Sequence, residues 1–189
     1  NATTALTANN STINGPGTLT NAAGQTLTLL NVIFNTDLIN QGTLVTDGGS
    51  TAVNAANTFT NAAGAILRLR ATGSTGNSTF TVAPFTNDGA IEMTTIVSSY
   101  TDVLNVSGTG ILTNSPTGTI TTLVGTGGTR TLGVVLDNQG VITLNQPLTL
   151  NKASAAHVNT GTIDASLADF TVTQSGTLNS GITPALNSA

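Results

Sequence analysis

Eight acids, four cations and one histidine are the groups in this 189-residue chain that could do chemistry at neutral pH. The acids are Asp37, Asp47, Asp88, Glu92, Asp102, Asp137, Asp164 and Asp169. The cations are Arg68, Arg70, Arg130 and Lys152, and the imidazole is His157. Catalysis needs such groups brought together. Glycoside hydrolysis asks for two carboxylates ~5–9 Å apart, and a lyase asks for an acid cluster beside a base. No motif here assembles either arrangement. A single histidine cannot complete a zinc site, and there is no cysteine to help it. The run GTGG at Gly125–Gly128 lacks the Lys-Ser/Thr pair that follows a phosphate loop. The sequence therefore predicts no enzyme, no metal and no cofactor.

Each of these groups has a plain structural reading. The acids read as exposed turn residues. Asp88 and Asp137 each adjoin a repeated asparagine, two repeats apart. Asp137, or equally Asp164 or Asp169, reads as a solvated ion-pair partner of Lys152. Arg68 and Arg70 lie two apart on a candidate strand, so they share a face that they keep in solution. His157, beside Ala155 and Ala156, reads as a surface or loop residue. Aromatic residues are only 3% of the chain, too few for sugar platforms, and Phe34, Phe59, Phe80, Phe85 and Phe170 fall at apolar-face positions.

What positions these residues is a repeat. The unit is an apolar residue just before an asparagine, then a glycine, then a β-rich segment. It appears as LTNAAGQTLTL from Leu19, LINQGTLV from Leu38, FTNAAGAILRL from Phe59 and FTNDGAI from Phe85. It returns as LTNSPTGTI from Leu112, LDNQGVITL from Leu136, VNTGTI from Val158 and LNSGI from Leu178. The asparagines are Asn21, Asn40, Asn61, Asn87, Asn114, Asn138, Asn159 and Asn179, with gaps of 19, 21, 26, 27, 24, 21 and 20 residues. The glycines that follow are Gly24, Gly42, Gly64, Gly89, Gly118, Gly140, Gly161 and Gly181. A mean period of about 23 lies in the range of solenoids.

Between the corners the pattern alternates. Leu27 and Leu29 alternate with Thr26 and Thr28, and Phe170 and Val172 with Thr171 and Thr173. Period two, with Thr, Val and Ile enriched, is a strand with one buried face. Helix signal is confined to KASAAH at Lys152–His157, which is too short. The fold class expected is all-β, a right-handed parallel β-helix of about eight coils spanning 1–189 as one domain. Glycine would supply positive φ at the corners. Asparagine amides would stack as a ladder along the rod. The turn formers GSTGNS at Gly73–Ser78 and VGTGGTR at Val124–Arg130 would bulge out as loops. An antiparallel sandwich is the alternative, but it needs no repeated corner.

Composition narrows the function. Charged residues are 6% and the net charge is −4, so no basic patch exists to bind nucleic acid. No apolar run reaches the ~20 residues of a membrane helix, so no membrane insertion is expected. The absent cysteines and scarce Lys and Glu favour a secreted protein, extracellular or at a cell surface. The first residue is Asn, which reads as a processed chain or a fragment. The N-x-[ST] triplets at Asn1, Asn9, Asn10, Asn77 and Asn105 are what this composition yields by chance.

The phrases GTLTNAAGQTLTL, LINQGTLV and LDNQGVITL resemble the repeats of large bacterial surface proteins, the filamentous-haemagglutinin-like adhesins and autotransporter passenger domains. That resemblance runs from about Ile13 to Ile182 and is one of repeat style. It implies a secreted right-handed β-helix serving as a stalk, adhesin or fibre. The chain is short for those families, so a fragment and a complete subunit both remain open.

Two functions follow as expectations. The first is a structural segment of a self-assembling fibre, stalk or surface layer. Neither Asn1–Asn14 nor Gly181–Ala189 carries an amphipathic helix or charged edge as a cap. Segments 1–13 and 183–189 would then add strands to neighbouring copies, and the partner would be the chain itself. The second is an adhesin, or an ice-binding solenoid, presenting a Thr-rich face to a glycan, a host surface or a crystal.

Overall fold

The computed structural model describes residues 5–97, 99–173 and 179–181. Every element in it is a strand, and all the strands pair in parallel. Two long strands, β1 (Ala5–Asn21) and β2 (Thr26–Asn40), pair along their lengths and cross three faces in turn. Shorter strands continue each face.

The first face stacks Thr43–Asp47, Ile66–Ala71, Ala90–Thr95, Thr119–Thr122, Val141–Leu144 and Thr162–Asp164. The second stacks Gly49–Val53, Ser78–Val82, Thr101–Val106, Thr129–Gly133, Leu148–Asn151 and Phe170–Thr173. The third stacks Phe59–Asn61, Phe85–Asn87, Ile111–Asn114, Val135–Asn138, Ala156–Asn159 and Asn179–Gly181. The chain visits the faces in that order in every coil. The product is a β-solenoid of about 7 turns at ~22 residues per turn, close to the eight coils expected.

Parallel coils hold together because like stacks on like. On the first face one inward column reads Leu27, Leu44, Leu67, Ile91, Ile120, Ile142 and Ile163, all buried. Branched side chains of similar volume stack one per rung at ~4.8 Å and together form the interior. On the third face Phe59 meets Phe85 at 5.0 Å between ring centroids, and it meets Phe80 at 5.1 Å and 88°, edge to face. Phe34, Phe59, Phe80 and Phe85 are core, and Phe170 is half-buried against it.

Both bulges expected from turn formers occur, and they share one corner, between the first and second faces. Thr72–Asn77 leaves the coil as a loop closed on itself, with hydrogen bonds exchanged between Thr72 and Gly76. Leu123–Gly128 leaves at the same corner two coils on, with Val124 exposed. The KASAAH segment forms a turn and then strand Ala156–Asn159, with no helix. Ser154 takes φ 53° there.

Residues 5–13, expected to serve a neighbouring copy, pair along one edge with Thr26–Phe34 of the same chain. Along the other edge of β1 no strand lies among the described residues. Segments 1–4 and 183–189 lie outside the described residues.

Candidate functional site

The corner column is built from the asparagines. Asn21, Asn40, Asn61, Asn87, Asn114, Asn138 and Asn159 stand in one register, rung upon rung, at the end of the third face. Each Nδ2 donates to the Oδ1 of the next, at 2.7–2.8 Å throughout. The second Nδ2 proton goes to a backbone carbonyl just past the next corner. Asn21 reaches Thr43 O at 3.0 Å, Asn40 reaches Ile66 O at 2.9 Å and Asn61 reaches Ala90 O at 3.1 Å. A buried amide is tolerated only when its donors and acceptors are used, and here they are. The ladder therefore ties each coil to the start of the coil after next.

The eighth member departs from the pattern. Asn179 lies opposite Ala156 and Gly181 opposite Val158, so that rung is three residues out of step with Asn159. The two residues that shared a corner motif in sequence do not share the corner column.

The corner glycines divide into two kinds. Gly24 and Gly64 take φ of 74° and 77° and close turns in which Gln25 N and Ala65 N return to Ala22 O and Ala62 O. Gly42, Gly89, Gly118, Gly140 and Gly161 do not sit at positive φ, against expectation. They are glycine because the chain there runs hard against the previous corner. A Cβ at Gly140 would overlap the carbonyl oxygens of Gly118 and Ser115 and fall 2.9 Å from Nδ2 of Asn114. The same crowding against the preceding ladder amide, at 3.1 Å, occurs at Gly42, Gly89 and Gly118. The asparagine and the glycine of the motif are thus one device: the glycine clears the space that the amide needs.

The charged residues are partly where they were expected. Arg68 and Arg70 share the outward side of the first face, and each pairs with an acid on an adjacent rung. Arg68 meets Glu92 at 2.6 Å, and Arg70 meets Asp47 at 2.9 Å. With side chains 35% and 19% exposed, the Arg68–Glu92 pair is screened. Arg68→Ala is expected to lower stability by less than about 1 kcal/mol in urea unfolding. A larger loss would mean that the pair does more than keep the face in solution. Among the described residues Lys152 pairs with no acid. Its Nζ donates to Val106 O at 2.7 Å and Gly133 O at 3.5 Å, while Asp137 accepts from Gln139 at 2.8 Å. Asp137 stands in the third-face strand Val135–Asn138, whereas Lys152 follows the second-face strand Leu148–Asn151.

These two ion pairs also interrupt the threonines. Thr28, Val45, Arg68, Glu92, Thr121, Thr143 and Asp164 occupy one outward column of the first face. The longest Thr run on the second face is Thr131, Thr149 and Thr171. Among the described residues no regular Thr lattice spans the coils.

Three titratable residues expected at the surface or in a loop are instead buried. His157 is buried in the third face, and its Nδ1 accepts from Leu136 N at 3.1 Å. The proton is therefore on Nε2, which has no partner, and burial pulls the imidazole below its usual range. It stands two residues before Asn159, where the other coils place Leu19, Leu38, Phe59, Phe85, Leu112 and Leu136. That parity was the signal for it. Asp102 and Arg130 are also buried, at 0% and 1% exposure, and they stack directly on each other in the first inward column of the second face. Ser78 precedes them in that column, and Leu148 and Phe170 continue it. Aligning STFTV, TDVLNV, TRTLG and LTLN by their common Phe or Leu puts the pair there from sequence alone.

Arg130 is held by backbone carbonyls. Nε donates to Met93 O at 3.2 Å, Nη2 to Leu123 O at 3.2 Å and Nη1 to Gly128 O at 3.4 Å. Neither oxygen of Asp102 has a hydrogen-bond partner, nor does Oγ1 of nearby Thr95. Burial pushes the Asp102 carboxyl up to about 7, against the opposing pull of the Arg130 charge and the amides of Ala71 and Thr94. Those amides point toward the carboxyl without closing a hydrogen bond. Between the unfolded value of 3.8 and about 7 the folded chain keeps a proton that the unfolded chain has released. The contribution of Asp102 to stability therefore falls as pH rises across that window. His157 works in the opposite sense, because its buried neutral form must charge as pH drops below the unfolded value of 6.5.

Among the described residues no group of three His, Cys, Asp or Glu side chains could hold a metal, and no helix is long and apolar enough to cross a membrane. Comparison with protein families, curated proteins and solved structures found no match for the chain.

Proposed function

We propose that this chain is a non-catalytic, extracellular structural segment of a bacterial-type surface fibre, stalk or layer, joined end to end through its solenoid axis. The observation that carries the reading is the open outer edge of β1. That strand crosses all three faces, yet its second edge meets no strand among the described residues. Leu6 on it is 59% exposed, and Ala8, Ile13 and Leu19 only partly cover the core beneath. A strand edge with its amides and carbonyls free and apolar side chains beside them is a template for a further parallel rung. The ladder adds a direction, because every Nδ2 points from lower to higher residue number. A copy added with the same polarity would continue the sheet. The low surface charge opposes such contact only weakly.

Electron microscopy and sedimentation of the purified chain test this. Rods whose length grows with concentration are expected. A particle that stays monomeric at high concentration would overturn the reading.

A further inference from the structure

We propose that Asp102 and the corner loop Leu123–Gly128 compete for the Arg130 guanidinium, so that ionisation of Asp102 releases the loop. The argument starts from partners. Among the described residues Arg130 is the one charged group facing Asp102. The strand before contributes Ser78, whose hydroxyl is engaged with Thr46 at 2.9 Å and 3.0 Å. Ala71 comes from the first face of the previous coil, and Thr94 and Thr95 come from the same coil. The strand after contributes Arg130 itself. None of the others titrates.

The two halves of the contest are unequal in a telling way. The Arg130 bonds to Leu123 O and Gly128 O, at 3.2 Å and 3.4 Å, are long for a charged donor, whose bonds to carboxylate settle near ~2.8 Å. The carboxylate one rung below, ~4.8 Å along the column, is within the swing of so long a side chain and has both oxygens free. While Asp102 keeps its proton it offers Arg130 little, and the guanidinium stays on the loop. Once Asp102 is charged, it is the stronger acceptor. Turning toward it takes Nη1 and Nη2 off the two carbonyls that pin the loop at its ends. Two backbone bonds also hold the loop: Leu123 N donates to Met93 O at 2.9 Å and Thr126 N to Thr95 O at 3.2 Å, while Val124 between them is 76% exposed. The burial of Asp102 sets the change near neutral pH.

Hydrogen exchange across Leu123–Gly128 at pH 5.5 and pH 8, corrected for intrinsic rates, tests the switch. In the wild-type chain the Thr126 amide is expected to exchange about tenfold faster at the higher pH, the effect of losing one charge-assisted bond. In Asp102→Asn it is expected to stay protected at both. Equal protection at both pH values in wild type would overturn the proposal, and so would the same acceleration in the variant. Should the variant fail to fold, the wild type decides. The Arg130 Nε resonance and the Asp102 carboxyl carbon must titrate with one midpoint, and separate midpoints would overturn it. The same pair of chains isolates the stability effect. Asp102→Asn should gain urea resistance over wild type at pH 8 and not at pH 5.

Discussion

Asn87→Ala is expected to cost about 4 kcal/mol of unfolding free energy, with exchange quickening in the strands Phe59–Asn61 and Ile111–Asn114 on either side. Asn87 is fully buried in mid-ladder. It accepts from Asn61 at 2.7 Å and donates to Asn114 at 2.8 Å, Gly89 O at 3.1 Å and Thr119 O at 3.2 Å. Truncation leaves one donor and up to three acceptors short of a partner in a dry interior, at ~1–3 kcal/mol for each group that finds no substitute. It also opens a gap that the rigid rungs cannot close. Asn21→Ala is the internal control. Asn21 sits at the start of the ladder, with no described asparagine donating to it, and is 7% exposed. Its loss should cost about 1–2 kcal/mol. Urea unfolding of both variants checks the contrast. Equal losses would mean that the ladder is a row of independent bonds rather than a connected column.

Gly140→Ala is expected to be as damaging, on the order of 4 kcal/mol or a failure to fold, whereas Gly24→Ala should cost about 1–2 kcal/mol. The added methyl at Gly140 meets the carbonyl oxygens of Gly118 and Ser115 and the amide of Asn114, none of which is a flexible chain end. Relief requires one coil to lift off another and so breaks ladder and sheet bonds together. At Gly24 the methyl meets open space, and only its φ of 74° is penalised. Thermal and urea melts of the two variants decide between crowding and backbone freedom as the reason for the corner glycines. A larger loss at Gly24 would reverse the assignment.

The fold was legible because a parallel solenoid writes its contacts into sequence as repetition. Asn21 and Asn40 are neighbours in space for the same reason that they look alike, each facing its own kind one rung away. The alternation of Leu27, Thr28 and Leu29 gave the buried face for the same reason. The reading failed where a residue's type and its parity disagreed. His157, Asp102 and Arg130 are polar, and polar type predicts exposure, yet the coil sets direction by parity alone. The corner glycines failed differently. Their freedom is a local property visible in any turn, whereas crowding by the previous coil is a property of the stack. Asn179 carries the motif but not the spacing from Asn159 that register demands.

The corner between the first and second faces bears on engineering. Thr72–Asn77 and Leu123–Gly128 both leave the coil there, and on each side of them the strands return to register without a slip. Length is absorbed off-axis, so the spacing of the rungs is indifferent to it. A foreign peptide spliced between Gly73 and Asn77 would enter no column, and tandem grafts at successive coils would display epitopes in a line along one edge of a stiff support.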